Sequence, residues 1–201
     1  MPRPRSDIEP RLVAAARKRF TSDGVDGASL RAIAADAGTS IGMVYYYFPT
    51  KDELFLAVVE EVYQKLLADL ERALEPKLPV RERLEQLFLR LGRLSDEEIT
   101  MIQLVVREVL VSSSRLDRLI ERFKRGHVAM IVKTVMDGMA DGTFNRSLHP
   151  VVVALSTVVL AAPPQLIRRF AAERLPIPGT PSGEDFSREL VKVLFEGVGA
   201  R

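Results

Sequence analysis

Cysteine is absent from this 201-residue sequence, and histidine occurs only twice. Without cysteine the chain forms neither a disulfide framework nor a thiolate metal site, which fits a reducing compartment. A glycine-rich phosphate loop, the G-x-S-x-G motif and a close pairing of histidine with carboxylates are also missing, so little remains for nucleophilic or metal chemistry. We therefore expect a protein that is not an enzyme, with no catalytic residue, no metal site and no cofactor.

Long apolar runs are missing as well. Residues 1–5 are not followed by the apolar segment of a signal peptide, and we find no apolar run with the span of a bilayer. With 47% hydrophobic residues and mixed charge, the chain can bury a core as one or two compact domains. The sequence thus predicts a soluble, cytoplasmic protein that does not associate with a membrane.

Positive charge is concentrated near the N-terminus. Residues 1–51 carry eight Lys or Arg and five Asp or Glu, a net charge of +3, whereas the other residues carry 21 and 22, a net charge of −1. Arg3 and Arg5 lie between prolines in a tail that is suited to follow a phosphate backbone. The run Arg17-Lys18-Arg19 is better explained, for the most part, as the solvated face of a helix.

Helical patterns cover most of the chain, and strand signals are almost lacking. The capping boxes Ser6-x-x-Glu9 and Thr50-x-x-Glu53 each begin an amphipathic helix, the second of which runs to about residue 74. Further helices are predicted at residues 80–94, 99–111, 115–140, 150–162 (with Pro150 as the first residue, and continuing to about 175 after an interruption at two prolines) and 182–197. The predicted fold class is therefore all-α.

Three of the four tyrosines lie in one short segment, Ile41-Gly42-Met43-Val44-Tyr45-Tyr46-Tyr47-Phe48. With a helical period, Val44 and Phe48 share one face and pack inward, which leaves at least two tyrosines pointing outward. A tyrosine ring can lie along a sugar-phosphate backbone while its hydroxyl donates to a phosphate oxygen. We interpret the segment as a DNA-recognition helix; the alternative is an amphipathic helix whose aromatic rings belong to a small core.

The residues before this segment favour the DNA-binding interpretation. Ser29 is placed as the N-cap of a two-turn helix, Gly38 lies where a helix ends in a left-handed residue, and Ser40 can cap the next helix. A helix, a tight turn and a second helix form the helix-turn-helix, in which the second helix enters the major groove.

At this point the chain resembles the TetR family of bacterial transcriptional regulators. The resemblance lies in residues 24–54, with the pattern G-x-x-x-x-S-L-R-x-I-A-x-x-A-G-x-S-x-G-x-V-Y-Y-Y-F-P-x-K-D-E-L. It implies an N-terminal three-helix helix-turn-helix domain at residues 1–51 and a C-terminal helical ligand-binding and dimerisation domain at residues 52–201, with about nine or ten helices in total. It also implies a ligand-responsive repressor that binds a palindromic operator as a homodimer and is released by a small, largely apolar effector.

The resemblance assigns DNA-binding roles position by position. The residues concerned are Ser29, Arg31, Thr39, Ser40, Ile41, Gly42, Met43, Tyr45, Tyr46, Tyr47 and Lys51. The start of the recognition helix would reach base edges and the nearest phosphates, and the tyrosines and Lys51 would hold the backbone. Arg31 could reach either a guanine edge or a phosphate. Ile41, Met43 and Tyr47 depart from the common family pattern. Ile41 and Met43 could contact thymine methyl groups, although Ile41 could instead turn inward beside Val44.

The C-terminal helices carry fewer signals. The resemblance implies a homodimer through the last helices, about 150–175 and 182–198, although these helices could also serve the chain's own core. Methionines at 101, 130, 136 and 139 suit an adaptable apolar pocket or ordinary core filling. Arg107 and Glu108 could orient a polar ligand group or pair with neighbours at a surface. The ligand-binding residues stay unknown. An enzyme is the main rival class, although the motifs for catalysis are missing, and a ligand-binding or partner-binding helical protein that has lost DNA binding is the second rival.

Overall fold

The computed structural model describes residues 7–174 and 178–198, and their regular structure is helical, with no strand in either range. Eleven helices follow one another in these residues: α1 (Ile8–Gly27), α2 (Leu30–Asp36), α3 (Ile41–Tyr47), α4 (Lys51–Ala73), α5 (Val80–Gly92), α6 (Asp96–Val109), α7 (Ser113–Lys124), α8 (His127–Asp141), α9 (Pro150–Ala161), α10 (Pro163–Arg174) and α11 (Gly183–Val198). The prediction of an all-α fold is confirmed. Arg3, Arg5 and the predicted cap Ser6 lie outside the described residues.

One predicted helix is divided in the structure. The pattern over residues 115–140 predicted a single helix, but α7 ends at Lys124 and α8 begins at His127. Gly126 caps α8 with φ −107° and ψ −125°, and its N–H donates to the carbonyl of Phe123 at 3.0 Å. Glycine loses more backbone entropy in a helix than any other residue, so the chain turns there although apolar spacing continues on both sides.

The structure divides into two compact units. The first comprises Met1–Lys65 and Asp96–Glu121, so that α6 and most of α7 belong with the three N-terminal helices. Its core includes the fully buried Phe20 and Phe55, whose rings meet edge to face with centroids 6.3 Å apart. The division by packing does not test the functional boundary that we predicted after residue 51, which stays a prediction.

The second unit comprises Leu66–Ser95 and Arg122–Arg201. Helix α5 packs so closely on α11 that a side chain at Gly92 would come within 2.6 Å of the carbonyl oxygen of Gly183. The hydroxyl of Ser187, fully buried on α11, donates to the carbonyl of Phe88 at 2.8 Å. Phe144 and Phe195 stack with ring centroids 5.6 Å apart. The hydrogen bond of Ser187 therefore joins α11 to α5, and the aromatic stack joins α11 to the segment between α8 and α9.

Helix α9 is apolar on both its buried and its exposed sides. Val153, Thr157 and Ala161 are buried, whereas Val151, Val152, Leu155, Val158 and Val159 are exposed. Helix α10 resumes immediately after Ala162, whose carbonyl accepts from the N–H groups of Gln165 and Leu166.

By length and composition alone, the continuous stretch Pro150–Ala171 could cross a membrane, contrary to our expectation that no apolar run is long enough. We expected Pro163-Pro164 to end this apolar run. Proline is tolerated in the first turn of a helix, however, and α10 begins at Pro163 and continues the stretch. One such helix is weak evidence for a membrane span, because the core helix of a soluble protein or a signal sequence meets the same criterion.

Candidate nucleic-acid interface

Helix α2 begins and ends as the sequence predicts. The Ser29 side chain accepts from the N–H of Ala32 at 3.4 Å and caps its N-terminus. At the other end, Gly38 adopts φ +64°, and its N–H donates to the carbonyl of Ala35 at 3.0 Å. The Thr39 N–H returns to the carbonyl of Ala34 at 2.9 Å, which completes a Schellman turn. The left-handed glycine thereby sets the angle at which the chain leaves α2.

Helix α1 holds α2 in place through two arginines. Arg11 donates to the carbonyl of Ala37 at 3.0 Å, at the end of α2. Arg19 donates to both carboxylate oxygens of Asp36, at 2.7 and 3.0 Å, and this hydrogen bonding holds the pKa of Asp36 below its usual value. Arg17 pairs with Glu97, so two members of the basic run have protein partners, which the sequence did not reveal.

Helix α3 is anchored on one face and exposed on the other. Val44 is fully buried and Phe48 is 7% exposed, whereas Tyr45 and Tyr46 are 54% and 65% exposed. Tyr47 is half-buried, and its ring meets that of Tyr46 edge to face at 5.2 Å. The predicted inward and outward faces of this helix are therefore confirmed. Two large aromatic side chains lie in solvent on a seven-residue helix.

The other predicted contact residues surround these tyrosines. Gly42, Ser40 and Arg31 are exposed, whereas Thr39, Met43 and Ile41 are half-buried. Ser40 occupies the N-cap position of α3, but its side chain makes no capping hydrogen bond. The half-buried side chain of Ile41 is compatible with both alternatives that the sequence left open, the thymine contact and the inward packing.

Lys51 lies at the first position of α4 and already has a protein partner. Its ammonium donates to the backbone carbonyl of Asp26 at 3.0 Å. The Thr50 hydroxyl accepts from the N–H of Glu53 at 3.1 Å, as the capping box predicts. An ammonium group has three N–H donors, so this one hydrogen bond leaves two donors for a phosphate oxygen.

Arg107 and Glu108 contact other residues of the first unit. Arg107 donates to the carbonyl of Phe20 at 2.7 Å, and Glu108 accepts from the N–H of Val25 at 3.1 Å. Glu108 also pairs with Arg115, at 2.7 Å from Nη1 to Oε2. Of the two alternatives for this pair, the structure therefore favours pairing over ligand binding. The contacts of Arg115 gave no sequence signal, because its other two partners, Asp52 and Asp26, lie 63 and 89 residues away along the chain.

The second unit contains an apolar cavity between α8 and α9, with a volume of about 250 Å³. Val132, Met136, Leu155 and Val158 are among the side chains that line it. The other methionines differ in setting: Met101 is buried in the first unit, Met130 borders a second cavity beside Arg83, and Met139 is half-buried. The lining of the α8–α9 cavity suits only apolar groups.

Residues 12–58 match the model of the family described as bacterial regulatory proteins, tetR family. The nicotine-responsive transcriptional repressor HdnoR of Paenarthrobacter nicotinovorans is 37% identical over 75 residues, which are 37% of this chain and 39% of HdnoR. The helix-turn-helix regulator YhgD of Bacillus subtilis is 21% identical over 131 residues, 65% of this chain and 69% of YhgD. The match to HdnoR thus spans well under half of that relative.

The whole chain is similar in fold to solved structures of regulators. The Bacillus subtilis transcriptional regulator FadR, solved in complex with stearoyl-CoA, superposes with a TM-score of 0.74. The superposition covers 94% of this chain and 98% of FadR at 14% sequence identity, so this likeness concerns the fold alone. Residues 12–58 therefore form an N-terminal domain of the tetR family of bacterial regulatory proteins, and the chain as a whole shares the fold of solved regulators.

Proposed function

We propose that this protein is a cytoplasmic, ligand-responsive repressor that binds a palindromic operator as a homodimer and leaves DNA when a small, largely apolar effector binds. The observation that carries the proposal is the exposure of Tyr45 and Tyr46 on α3, whose opposite face is anchored by Val44 and Phe48. Exposed aromatic residues in such a short helix cost solvation free energy unless a partner covers them. A DNA backbone matches both their rings and their hydroxyls.

The contacts we propose divide into two groups. The N-terminal part of α3 would approach base edges in the major groove, where exposed Gly42 lets the helix backbone come close. The remaining residues would hold the backbone and fix the register of the helix. The base-facing group is Thr39, Ser40, Ile41, Gly42 and Met43, and the backbone group is Ser29, Arg31, Tyr45, Tyr46, Tyr47 and Lys51.

The homodimer is supported by the exposed side chains of the second unit. On α9, Leu155 and Val159 are 60% and 57% exposed, and on α11 Val193 is 55% exposed. An apolar surface of this kind, on helices that contact each other, favours burial against a second copy. Two recognition helices about 34–36 Å apart would then read two half-sites one helical turn apart.

The apolar effector is supported by analogy with two regulators, since the α8–α9 cavity shares the exposed Leu155 with the surface that we propose a second copy covers. HdnoR is named as a nicotine-responsive repressor, and FadR was solved with stearoyl-CoA. By analogy with these two proteins, we propose that a ligand controls DNA binding by this chain. Neither protein identifies what that ligand is. A thermal-shift screen of fatty acids and other apolar compounds tests it. A ligand at 100 times its Kd should stabilise the fold by about 2.7 kcal/mol and should also weaken DNA binding.

DNA binding itself is tested by selecting duplexes from a random pool and measuring affinity by fluorescence anisotropy at two salt concentrations. We expect a palindrome, bound more weakly at high salt because phosphate contacts release counterions. The variant Tyr45→Phe/Lys51→Ala should bind more weakly, and its salt slope should fall by about one for each subunit, because one ammonium contact per subunit is lost. Weak, sequence-blind binding with little salt dependence would instead favour the rival protein that has lost DNA binding.

A further inference from the structure

Arg115, at the start of α7, is a buried cation with three carboxylate partners. Only 7% of its side chain is exposed. Its Nε lies 2.8 Å from Asp52 and its Nη1 lies 2.7 Å from Glu108, while Nη2 donates to Asp26. These partners belong to α4, α6 and the end of α1, so one guanidinium joins three helices. We name Arg115, Glu108, Asp26 and Asp52 the Arg115 cluster.

The cluster holds the segment that leads from α1 into α2, which begins at a kink in α1 at Gly24 and which we call the α1–α2 turn. Glu108, whose side chain is 4% exposed, accepts from the N–H of Val25 at 3.1 Å. Gly24 adopts φ +77° there, and a side chain at Gly24 would meet Arg107 Nη2 at 3.3 Å. The turn therefore has a backbone conformation that favours glycine, and α6 lies directly against it. Ser29, which begins the helix-turn-helix, follows within five residues.

The cluster also surrounds the position of Lys51. Asp26 binds Arg115 through its carboxylate and Lys51 through its backbone carbonyl, the latter at 3.0 Å. Asp52, the residue after Lys51, binds Arg115 as well. Arg115 is therefore the cation that neutralises two carboxylates beside the lysine ammonium. Without Arg115 those carboxylates would attract Lys51, and the ammonium would be less available to a phosphate.

We propose that Arg115 is a positioning residue for DNA binding, which holds the α1–α2 turn and keeps Lys51 available to the DNA backbone without touching DNA itself. This inference rests on the proposed function, because it assigns to α7 a part in the same DNA-binding site. Replacing Arg115 with a neutral residue removes the cation that Asp26, Asp52 and Glu108 share, and it leaves Glu108 buried with Arg107 as its remaining cationic contact.

The test compares full-length Arg115→Gln with Arg118→Gln, on the duplex selected by the wild-type protein. Arg118 lies on the same helix and is exposed, so both variants lose one positive charge from α7. We expect Arg115→Gln to lower affinity by about tenfold or more and to reduce the salt slope by about one for each subunit, as if the Lys51 contact were lost. Arg118→Gln should retain the wild-type slope.

A second variant distinguishes a specific effect on DNA binding from a loss of affinity that is caused by unfolding. Arg115→Gln/Glu108→Gln removes the buried carboxylate together with its partner, while the glutamine oxygen can still accept from Val25. Its folding is checked by melting temperature, and the same loss of slope is expected. Equal affinities and slopes for Arg115→Gln and Arg118→Gln, or a loss of affinity with an unchanged slope in the double variant, would overturn the inference. Failure of the wild-type protein to select any site would instead refute the proposed function.

Discussion

Met43 is one of the two side chains on α3, with Ile41, that we propose as contacts of thymine methyl groups. It is half-buried next to the exposed Gly42, at the start of the helix, and it offers no hydrogen-bond donor. A thioether side chain in the major groove can recognise the thymine C5-methyl group through apolar contact. Readout at this position would therefore depend on shape and apolar contact, since methionine cannot form the bidentate hydrogen bonds that arginine or asparagine form with bases.

Replacing thymine by uracil in the selected site, one position at a time, removes only the methyl group and so tests this contact. At the position that Met43 reads, the wild-type protein should bind the uracil duplex more weakly. Met43→Ala should bind both duplexes equally, because it has lost the side chain that contacts the methyl group. Anisotropy titrations of the four combinations give the coupling directly. A uracil penalty that persists in Met43→Ala would remove this residue from base readout.

Residues within α3 could be understood from the sequence alone, because a helical period separates Val44 and Phe48 from Tyr45 and Tyr46. The same holds for Ser29 and Gly38, whose roles follow from local capping chemistry. Partners far apart along the chain could not be found in this way. Arg115 contacts Asp26 across 89 residues, and Arg17 contacts Glu97 across 80. Their pairing depends on how α6 and α7 fold back, which no local pattern encodes.

Helix α4, like the end of α7, runs from one unit into the other. It runs from Lys51 to Ala73, and the division between the units falls after Lys65. At 1.5 Å per residue its 23 residues span about 35 Å. A ligand that prefers one spacing of the recognition helices over another must act through some continuous element, and typical coupling is about 1–3 kcal/mol. Helix α4 is the simplest candidate for this element, which we call the lever because it would transmit the effect of the ligand to the recognition helix.

Ala57→Pro should interrupt the lever. Proline removes a backbone hydrogen bond and clashes with the carbonyl four residues earlier, which costs about 3 kcal/mol in a helix interior. We expect the variant to remain dimeric but to lose effector-induced release of DNA. Ala57→Gly is the matched control, since it lowers helix propensity by about 1 kcal/mol and keeps the hydrogen bond. Effector-dependent anisotropy measures the response, and normal release by Ala57→Pro would exclude α4 as the lever.

Among the elements, helices with clear caps were predicted most accurately. Thr50 begins α4 as expected, and Pro150 lies in the first turn of α9. The break at Gly126 was missed, because the apolar spacing on both sides of it is compatible with one continuous helix. A continuation of the helix beyond the paired prolines was expected, but the break lies at Ala162 and the prolines are the first two residues of α10. The apolar stretch formed by α9 and α10 is therefore longer than predicted.

For the whole molecule, the exposed apolar side of α9 requires an explanation. Leu155 and Val159 lie one turn apart on that side, and both are more than half exposed. If this surface is covered by a second copy, changing it should affect assembly and leave the fold of the chain intact. If it is covered by lipid instead, the protein should associate with membranes.

Leu155→Glu/Val159→Glu should convert the dimer to a monomer, because four carboxylates would be brought together in a symmetric interface. Light scattering should give twice the chain mass of 22.4 kDa for the wild-type protein and the single chain mass for the variant. Leu110→Glu is the control, since Leu110 is 82% exposed but lies on the first unit. A dimeric double variant would move the interface elsewhere, and co-sedimentation of the wild-type protein with lipid vesicles would favour a membrane partner.

The most direct test of the account compares wild-type affinity for the selected duplex with its affinity for the same duplex with one half-site scrambled. Two recognition helices that act together predict a loss of at least about tenfold, because each mismatched base pair typically costs about 1–3 kcal/mol and several would be lost at once. Moving the half-sites apart by half a helical turn should cause a similar loss. Equal affinity for all three duplexes would contradict the proposal that a homodimer reads a palindromic operator through α3.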